Sequence, residues 1–179
     1  MEKVQERLMR ATAVLEGNEI PYAVIGGLAV AHWIGLIDPG AARNTPEVDL
    51  LINRIDLERA RFAFQKMGFV EAADQPFLIF RDGPEGSLRS GQHIFFADEK
   101  VRPEDLLPAP PMTESVKTDQ FRVMGLEALT RMKLTCHRRK DQVHFLDLIH
   151  VGLIDQTWPA RSQPALAERL QTLLDDPNE

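Results

Sequence analysis

Pro21-Tyr22-Ala23-Val24-Ile25-Gly26-Gly27-Leu28-Ala29-Val30-Ala31-His32-Trp33-Ile34, followed after Pro39-Gly40 by Arg43-Asn44-Thr45-Pro46-Glu47-Val48-Asp49-Leu50-Leu51-Ile52, is the stretch on which the fold turns. The apolar run 21–25 reads as a buried strand, the double glycine as a turn, and residues 28–34 as a helix. Glycines at a strand-to-helix turn leave backbone N–H groups free and remove the side chain that would block close approach, which suits a triphosphate. The same glycines also serve plain tight packing of strand against helix, so the turn alone does not decide between the two. Glu47 and Asp49 stand two apart on the next predicted strand, so both side chains leave one face, with Cα atoms roughly 6.5–7 Å apart. Two carboxylates so placed can share Mg²⁺, a hard ion that takes oxygen ligands and keeps waters alongside substrate phosphates. A pair of ions about 3.5–4 Å apart would stabilise the attacking and leaving oxygens of an in-line displacement. Acids at the start of a strand are also commonly just solvated, but Asp49 runs directly into Leu50-Leu51-Ile52.

Outward from this centre the pattern alternates. Before it, Val4, Leu8, Ala11, Val14 and Leu15 recur at helical spacing over 2–16, and Gly17-Asn18 stops them. After it, a helix over 56–67 places Leu57, Ala60, Phe64 and Met67 on one face, with Asp56 as its cap and Gly68 as its stop. Strands are predicted at 69–72, 77–80 and 92–97, with a turn cluster at 82–86. The proline-rich stretch 103–111 reads as an irregular connection, and 115–118 with 121–124 as a hairpin. Two helices follow, the first burying Leu126, Leu129, Met132 and Leu134, the second Val143, Leu146, Leu148 and Ile149. A last amphipathic helix spans 164–174. The prediction is an α/β (α+β) fold, a mixed sheet flanked by helices, with C-terminal helices. Residues 1–153 form the main domain and 154–179 a helical extension.

Composition bounds the function without naming it. A chain of 179 residues, 44% hydrophobic and 27% charged, has ordinary globular proportions and enough length for one core. No apolar run approaches the roughly 20 residues of a membrane span, and Met1-Glu2-Lys3 lacks the basic-then-apolar layout of a signal peptide. A cytoplasmic protein with no membrane partner is expected. The single cysteine, Cys136, forms no internal disulfide and no Cys-x-x-Cys zinc knuckle. A net charge of −6 argues against binding to a DNA backbone, which depends on releasing counterions through many basic contacts.

The ordered combination Val24-Ile25-Gly26-Gly27-Leu28-Ala29-Val30 and Arg43-Asn44-Thr45-Pro46-Glu47-Val48-Asp49 resembles the minimal nucleotidyltransferases of the DNA polymerase β superfamily. Their pattern is a Gly-Gly or Gly-Ser turn followed by Arg-x-Thr-x-Asp-x-Asp. Leu126-Glu127-Ala128-Leu129, Met132-Lys133-Leu134 and Arg139-Lys140-Asp141 resemble the family's C-terminal segment, so the likeness runs from about Tyr22 to Leu153. It implies a nucleotidyltransferase fold and transfer of an NMP from an NTP to a hydroxyl of a small molecule, protein or RNA. By position, Gly26 and Gly27 would hold the triphosphate, Glu47 and Asp49 would bind Mg²⁺, and Arg43 and Thr45 would lie beside them. Lys133 and Lys140 would neutralise phosphate charge. Antibiotic-modifying enzymes and toxin–antitoxin components both occur in the family, the latter implying a protein partner.

Two departures stand out. Position 47 is Glu where the family usually has Asp. The strand Gln92-His93-Ile94-Phe95-Phe96 places His93 where active members carry a third carboxylate as general base. A histidine suits that task near neutral pH, and equally suits a degenerate member that keeps the fold as a binding or regulatory protein. His137, Asp141 and His144 follow i, i+4, i+7 spacing, as metal ligands on one helix would. The cationic Arg138-Arg139-Lys140 between them reads instead as a junction of two helices, and Cys136 as a small packing residue.

Overall fold

The computed structural model describes residues 2–75 and 77–176. Seven strands form one mixed sheet in the order β3-β4-β5-β2-β1-β7-β6. The central strands are β1 (Tyr22–Val24), β2 (Val48–Ile52) and β5 (Gln92–Phe96). The outer ones are β3 (Phe69–Glu71), β4 (Leu78–Asp82), β6 (Ser115–Lys117) and β7 (Arg122–Met124). β2 runs antiparallel to β1 and parallel to β5, and β1 runs parallel to β7. The remaining pairs are antiparallel, including the expected β6–β7 hairpin.

Helices cover both faces. All five residues of β2 are buried, and since neighbours on a strand point to opposite sides, the sheet centre must be roofed above and below. The covers are α1 (Glu2–Gly17), α2 (Gly26–Gly35), α3 (Leu57–Lys66), α4 (Leu126–Cys136), α5 (Arg139–His150) and α6 (Pro164–Asp175). α1 packs against α3, whereas α2, α4, α5 and α6 pack among themselves. Phe64 of α3 meets Phe80 and Phe69 at ring separations of 4.9 and 5.5 Å. Beyond residue 153, Ile154, Trp158, Leu166, Leu170 and Leu174 join the same hydrophobic core. No described helix is long and apolar enough to cross a membrane.

Local details depart from the periodicity. Asp56 stands at the start of α3, but a 3-10 turn, Arg54–Asp56, gives it helical dihedrals. Its carboxylate therefore accepts from Arg59 at 2.8 Å and caps no backbone N–H. The buried face of α3 is Ala60, Ala63 and Phe64, while Met67 lies past the helix end and is exposed. On α5 the buried stripe is Asp141, Phe145 and Leu148, with Val143 turned outward. An aspartate thus occupies a position that hydrophobic spacing alone would not select.

Candidate functional site

The site begins where β1 ends. Ile25 is extended, Gly26 opens α2 with φ +67°, and no side chain caps the helix. The first N–H groups of α2 therefore lack intrahelical partners and concentrate the positive end of the helix dipole there. Gly26 is required twice over. Its φ is one that L side chains rarely adopt, and a Cβ would fall 1.9 Å from Asp49 Oδ2. Gly27 packs on Thr45, whose Cγ2 would lie 3.1 Å from an added Cβ.

Strand register supplies the next members. Asp49 of β2 sits opposite His93 of β5 in the parallel pairing, so both side chains leave the same face side by side. His93 Nδ1 lies 3.1 Å from Asp49 Oδ1, and His93 Nε2 lies 3.2 Å from the Leu88 carbonyl. With an acceptor at each ring nitrogen, the doubly protonated imidazolium is the best-satisfied form. The hydrogen bond to Asp49 accordingly holds His93 above the ordinary histidine range, overcoming burial, which acts to lower it. Glu47, just before β2, accepts from Lys140 Nζ at 3.1 Å. One donor atom each from Glu47, Asp49 and His93 lie within 4.8 Å of one another, so this group can hold a metal ion. Two carboxylates and an imidazole are a chemically reasonable donor set for a divalent cation.

Facing the sheet is a buried ionic network on α4 and α5. Lys133 Nζ donates to Asp141 Oδ1 at 3.2 Å and meets His144 Nδ1 at 2.8 Å, with its side chain only 5% exposed. Arg138 Nε donates to the other Asp141 oxygen at 2.9 Å. Burial lowers the Lys133 pKa, with Asp141 opposing. Burial acts to raise the Asp141 carboxyl, but Lys133 and Arg138 outweigh it and hold it below the usual range. Burial and the Lys133 charge push His144 down to about 4, so it is neutral and accepts the ammonium proton.

Between these two groups lies a cleft of about 210 Å³. Gly26, Glu47, Asp49 and His93 line one part, Lys133, Arg138, Lys140 and Asp141 the opposite part. Phe77, Phe95, Val101 and Met132 form an apolar wall, with Arg102 also in the lining. The cleft thus carries four lysine and arginine side chains, and His93, against three carboxylates. Period-2 spacing already puts Phe95 on the face of His93. Nothing local in the sequence marks Phe77, Val101 or Arg102.

The other sequence-derived candidates fall as follows. Arg43 turns away from the cleft and grips Asp147 of α5 with two bonds of 2.5 and 3.0 Å. Thr45 Oγ1 accepts the Glu47 N–H at 3.3 Å, which braces the carboxylate from behind. His137 ends α4 in the left-handed conformation and so breaks the spacing that would have aligned it with Asp141 and His144. Among the described residues, only Glu47, Asp49 and His93 converge as a metal-capable group. Cys136 is a half-buried wall residue whose thiol burial pushes up in pKa.

No protein-family model matches the sequence, and no curated protein matches it. Solved structures do. The chain is similar to an antigenic nucleotidyltransferase-like protein from Paracoccidioides brasiliensis, at 16% identity and TM-score 0.64, over 98% of this chain and 88% of that one. The protein has a nucleotidyltransferase fold. The antibiotic-resistance factor ANT(2'')-Ia gives a second match at 13% identity and TM-score 0.58, over 98% of this chain and 91% of that one. ANT(2'')-Ia has also been solved in complex with adenylyl-2''-tobramycin, and that structure matches at 14% identity with TM-score 0.52. In each of the first two matches the likeness covers 98% of this chain.

Proposed function

We propose that the protein transfers a nucleoside monophosphate from an NTP to a hydroxyl acceptor, using the cleft between β2, β5 and α4. The observation that carries this reading is the convergence of Glu47, Asp49 and His93 beside the uncapped start of α2. In this reading the N–H groups at Gly26 and Gly27 receive the triphosphate, and Lys133, Arg138 and Lys140 answer its charge from the opposite wall. Glu47 and Asp49, with His93, are the residues that would hold a divalent cation, for which the family resemblance implies Mg²⁺. When bound, such a cation neutralises charge on the transferring phosphoryl group. The acceptor oxygen bonds to the α-phosphorus as the bond to the bridging oxygen breaks. Pyrophosphate carries away that electron pair, and the hydroxyl proton leaves to water on the part-exposed Glu47 side. With Nε2 bonded to the Leu88 carbonyl and Nδ1 directed at the carboxylates that would hold the cation, His93 is not free to act as the base.

The acceptor's side follows from the sheet order. Gly26 lies on the β1 side of Asp49, whereas His93, Phe95 and Phe77 lie on the β5 and β4 side. In an in-line displacement the attacking group enters opposite the leaving pyrophosphate, hence over the Phe77 and Phe95 wall. An apolar wall in a cleft with excess cationic side chains suits a neutral or anionic hydroxyl compound and disfavours a polycation.

A second reading keeps the fold as a nucleotide-binding or regulatory module without transfer. It is favoured by one observation: Glu47 and Asp49 each already face a cationic partner from the chain, Lys140 and His93. Incubation with α-labelled NTPs, a divalent cation and cell extract separates the two. The transferase reading expects a labelled acceptor that disappears with Asp49→Ala. Nucleotide-dependent thermal stabilisation without any labelling would favour the second reading, and neither signal at millimolar nucleotide would end both.

A further inference from the structure

The donor set of the metal-capable group differs from what magnesium asks for. Glu47 and Asp49 offer carboxylate oxygens, but the third donor is the imidazole nitrogen of His93, and it stands closest to Asp49 at 3.1 Å. Mg²⁺ is a hard ion that favours oxygen and retains its waters. First-row transition dications accept mixed nitrogen and oxygen ligands, with affinities rising from Mn²⁺ through Co²⁺.

The surroundings of His93 present its nitrogens as a ligand's would be. Nε2 faces the Leu88 carbonyl at 3.2 Å, so that nitrogen keeps its hydrogen and Nδ1 is the one turned toward the carboxylates. Metal-bound histidines are held in this way, with the far N–H donated to a backbone carbonyl or carboxylate that fixes ring orientation. The Leu88 carbonyl is itself anchored. It belongs to the 3-10 turn Leu88–Ser90 and accepts the Gly91 N–H at 3.1 Å. Gly91 passes so close to β4 that a Cβ there would meet Ile79 Cγ2 at 2.8 Å and the Phe80 carbonyl oxygen at 3.0 Å. The ring is therefore positioned by rigid strand and turn, and is only 17% exposed.

We infer that Glu47, Asp49 and His93 form a site selective for a borderline transition-metal dication of the Mn²⁺ or Co²⁺ type over Mg²⁺, with His93 as the selecting ligand. The role given to the ion rests on the transfer reading above, but the site itself rests on the donor geometry. His93 then replaces a carboxylate as a change of metal preference rather than as a loss of function.

The test uses the full-length protein and metal alone, without nucleotide. Isothermal titration with Mg²⁺, Mn²⁺ and Co²⁺ gives affinities, and the visible spectrum of the Co²⁺ form reports nitrogen ligation. Wild type is expected to bind Co²⁺ and Mn²⁺ at least about tenfold more tightly than Mg²⁺. All-oxygen sites also favour these ions somewhat, so the decisive quantity is the change on substitution. His93→Asp is expected to shrink the Co²⁺ to Mg²⁺ affinity ratio about tenfold and to shift the Co²⁺ spectrum, while leaving the circular dichroism unchanged. His93→Gln, which keeps a polar side chain of similar size without the imidazole nitrogen, should shrink the ratio likewise and serves if the aspartate variant misfolds. Equal binding of Mg²⁺ and Co²⁺ by wild type, or a ratio unmoved by either variant, would overturn the inference even if labelling proceeds. Metal discrimination without nucleotide labelling would leave this site standing and remove the transfer reading instead.

Discussion

Among the described residues two clusters combine histidine with carboxylate, and they are built in opposite ways. Glu47, Asp49 and His93 are distant in sequence and meet only because β2 and β5 pair in parallel with Asp49 opposite His93. Lys133, Asp141 and His144 come from neighbouring helices and meet across the break that left-handed His137 makes between α4 and α5. The first cluster turns its donor atoms into a cleft. The second closes on an ammonium and buries it. Proximity of acids and histidines along a sequence is thus a poorer guide to an open ligand site than strand register. What distinguishes a site from a cradle is how far the side chains stay open, 12–27% for Asp49, His93 and Glu47 against 5% and 1% for Lys133 and Asp141.

The sharpest way to break this comparison is at Asp49. Asp49→Ala should lower nucleotide transfer by roughly 10³-fold or more, read as incorporation of α-label into acceptor, because it removes a carboxylate from the metal-capable group. Residual activity within tenfold of wild type would refute its placement at the centre of the site.

Lys133→Met should cost about 3 kcal/mol of stability by urea denaturation, since it strips one partner from a carboxylate that is only 1% exposed. The double variant Lys133→Met with Asp141→Leu should recover part of that loss, because the apolar pair leaves no fully buried charge and unpairs only Arg138, whose side chain is 43% exposed. If the double variant is worse than the sum of the singles, the pair is not a simple buried cradle.

The His144 shift makes a pH prediction with a definite sign. A histidine held at about 4 when folded and near 6.5 when unfolded takes up its proton preferentially in the unfolded state between those values. Its contribution is therefore present above about pH 6.5 and is lost as pH falls toward 4. Replacement by glutamine should flatten that part of the thermal stability profile, measured against wild type in steps of half a pH unit. His93 has the opposite sign: its folded value is raised, so the stabilisation from its contact with Asp49 is complete below about 6.5 and fades as pH rises through the folded value.

Smallest of all should be Arg43→Ala. Its ion pair with Asp147 is bidentate, but the arginine is 62% exposed, so the loss should stay within about 1 kcal/mol. A change in nucleotide affinity beyond threefold would mean that Arg43 leaves Asp147 for the ligand.

The parts of this arrangement that were legible in the sequence are those set by short-range rules. The double-glycine turn and the pair at 47 and 49 follow from helix-start chemistry and from period 2, and the hairpin at Ser115–Lys117 and Arg122–Met124 from turn residues. The cradle around Lys133 was hidden, because Lys133, Asp141 and His144 come together only through the angle at which α5 leaves α4. Phe77 and Phe95 read as ordinary strand hydrophobics, and only the gap left beneath α4 turns them into a wall. Asp56 offered a cap by type and position, yet the 3-10 turn before it sent its carboxylate to Arg59.

Lys140 and Asp147 lie seven residues apart on α5, and each is tied to the segment leading into β2, through Glu47 and Arg43 respectively. Two clasps about two turns apart make a seam beside the cleft, and they differ in what can undo them. The Arg43 clasp lies off the cleft lining and so has no competitor in a nucleotide held within the cleft. The Lys140 clasp does, because an incoming phosphate competes with Glu47 for the same ammonium. Negative charge therefore loosens the end of the seam nearest the carboxylates while the far end stays fastened, so a nucleotide would widen its own berth without freeing the helix.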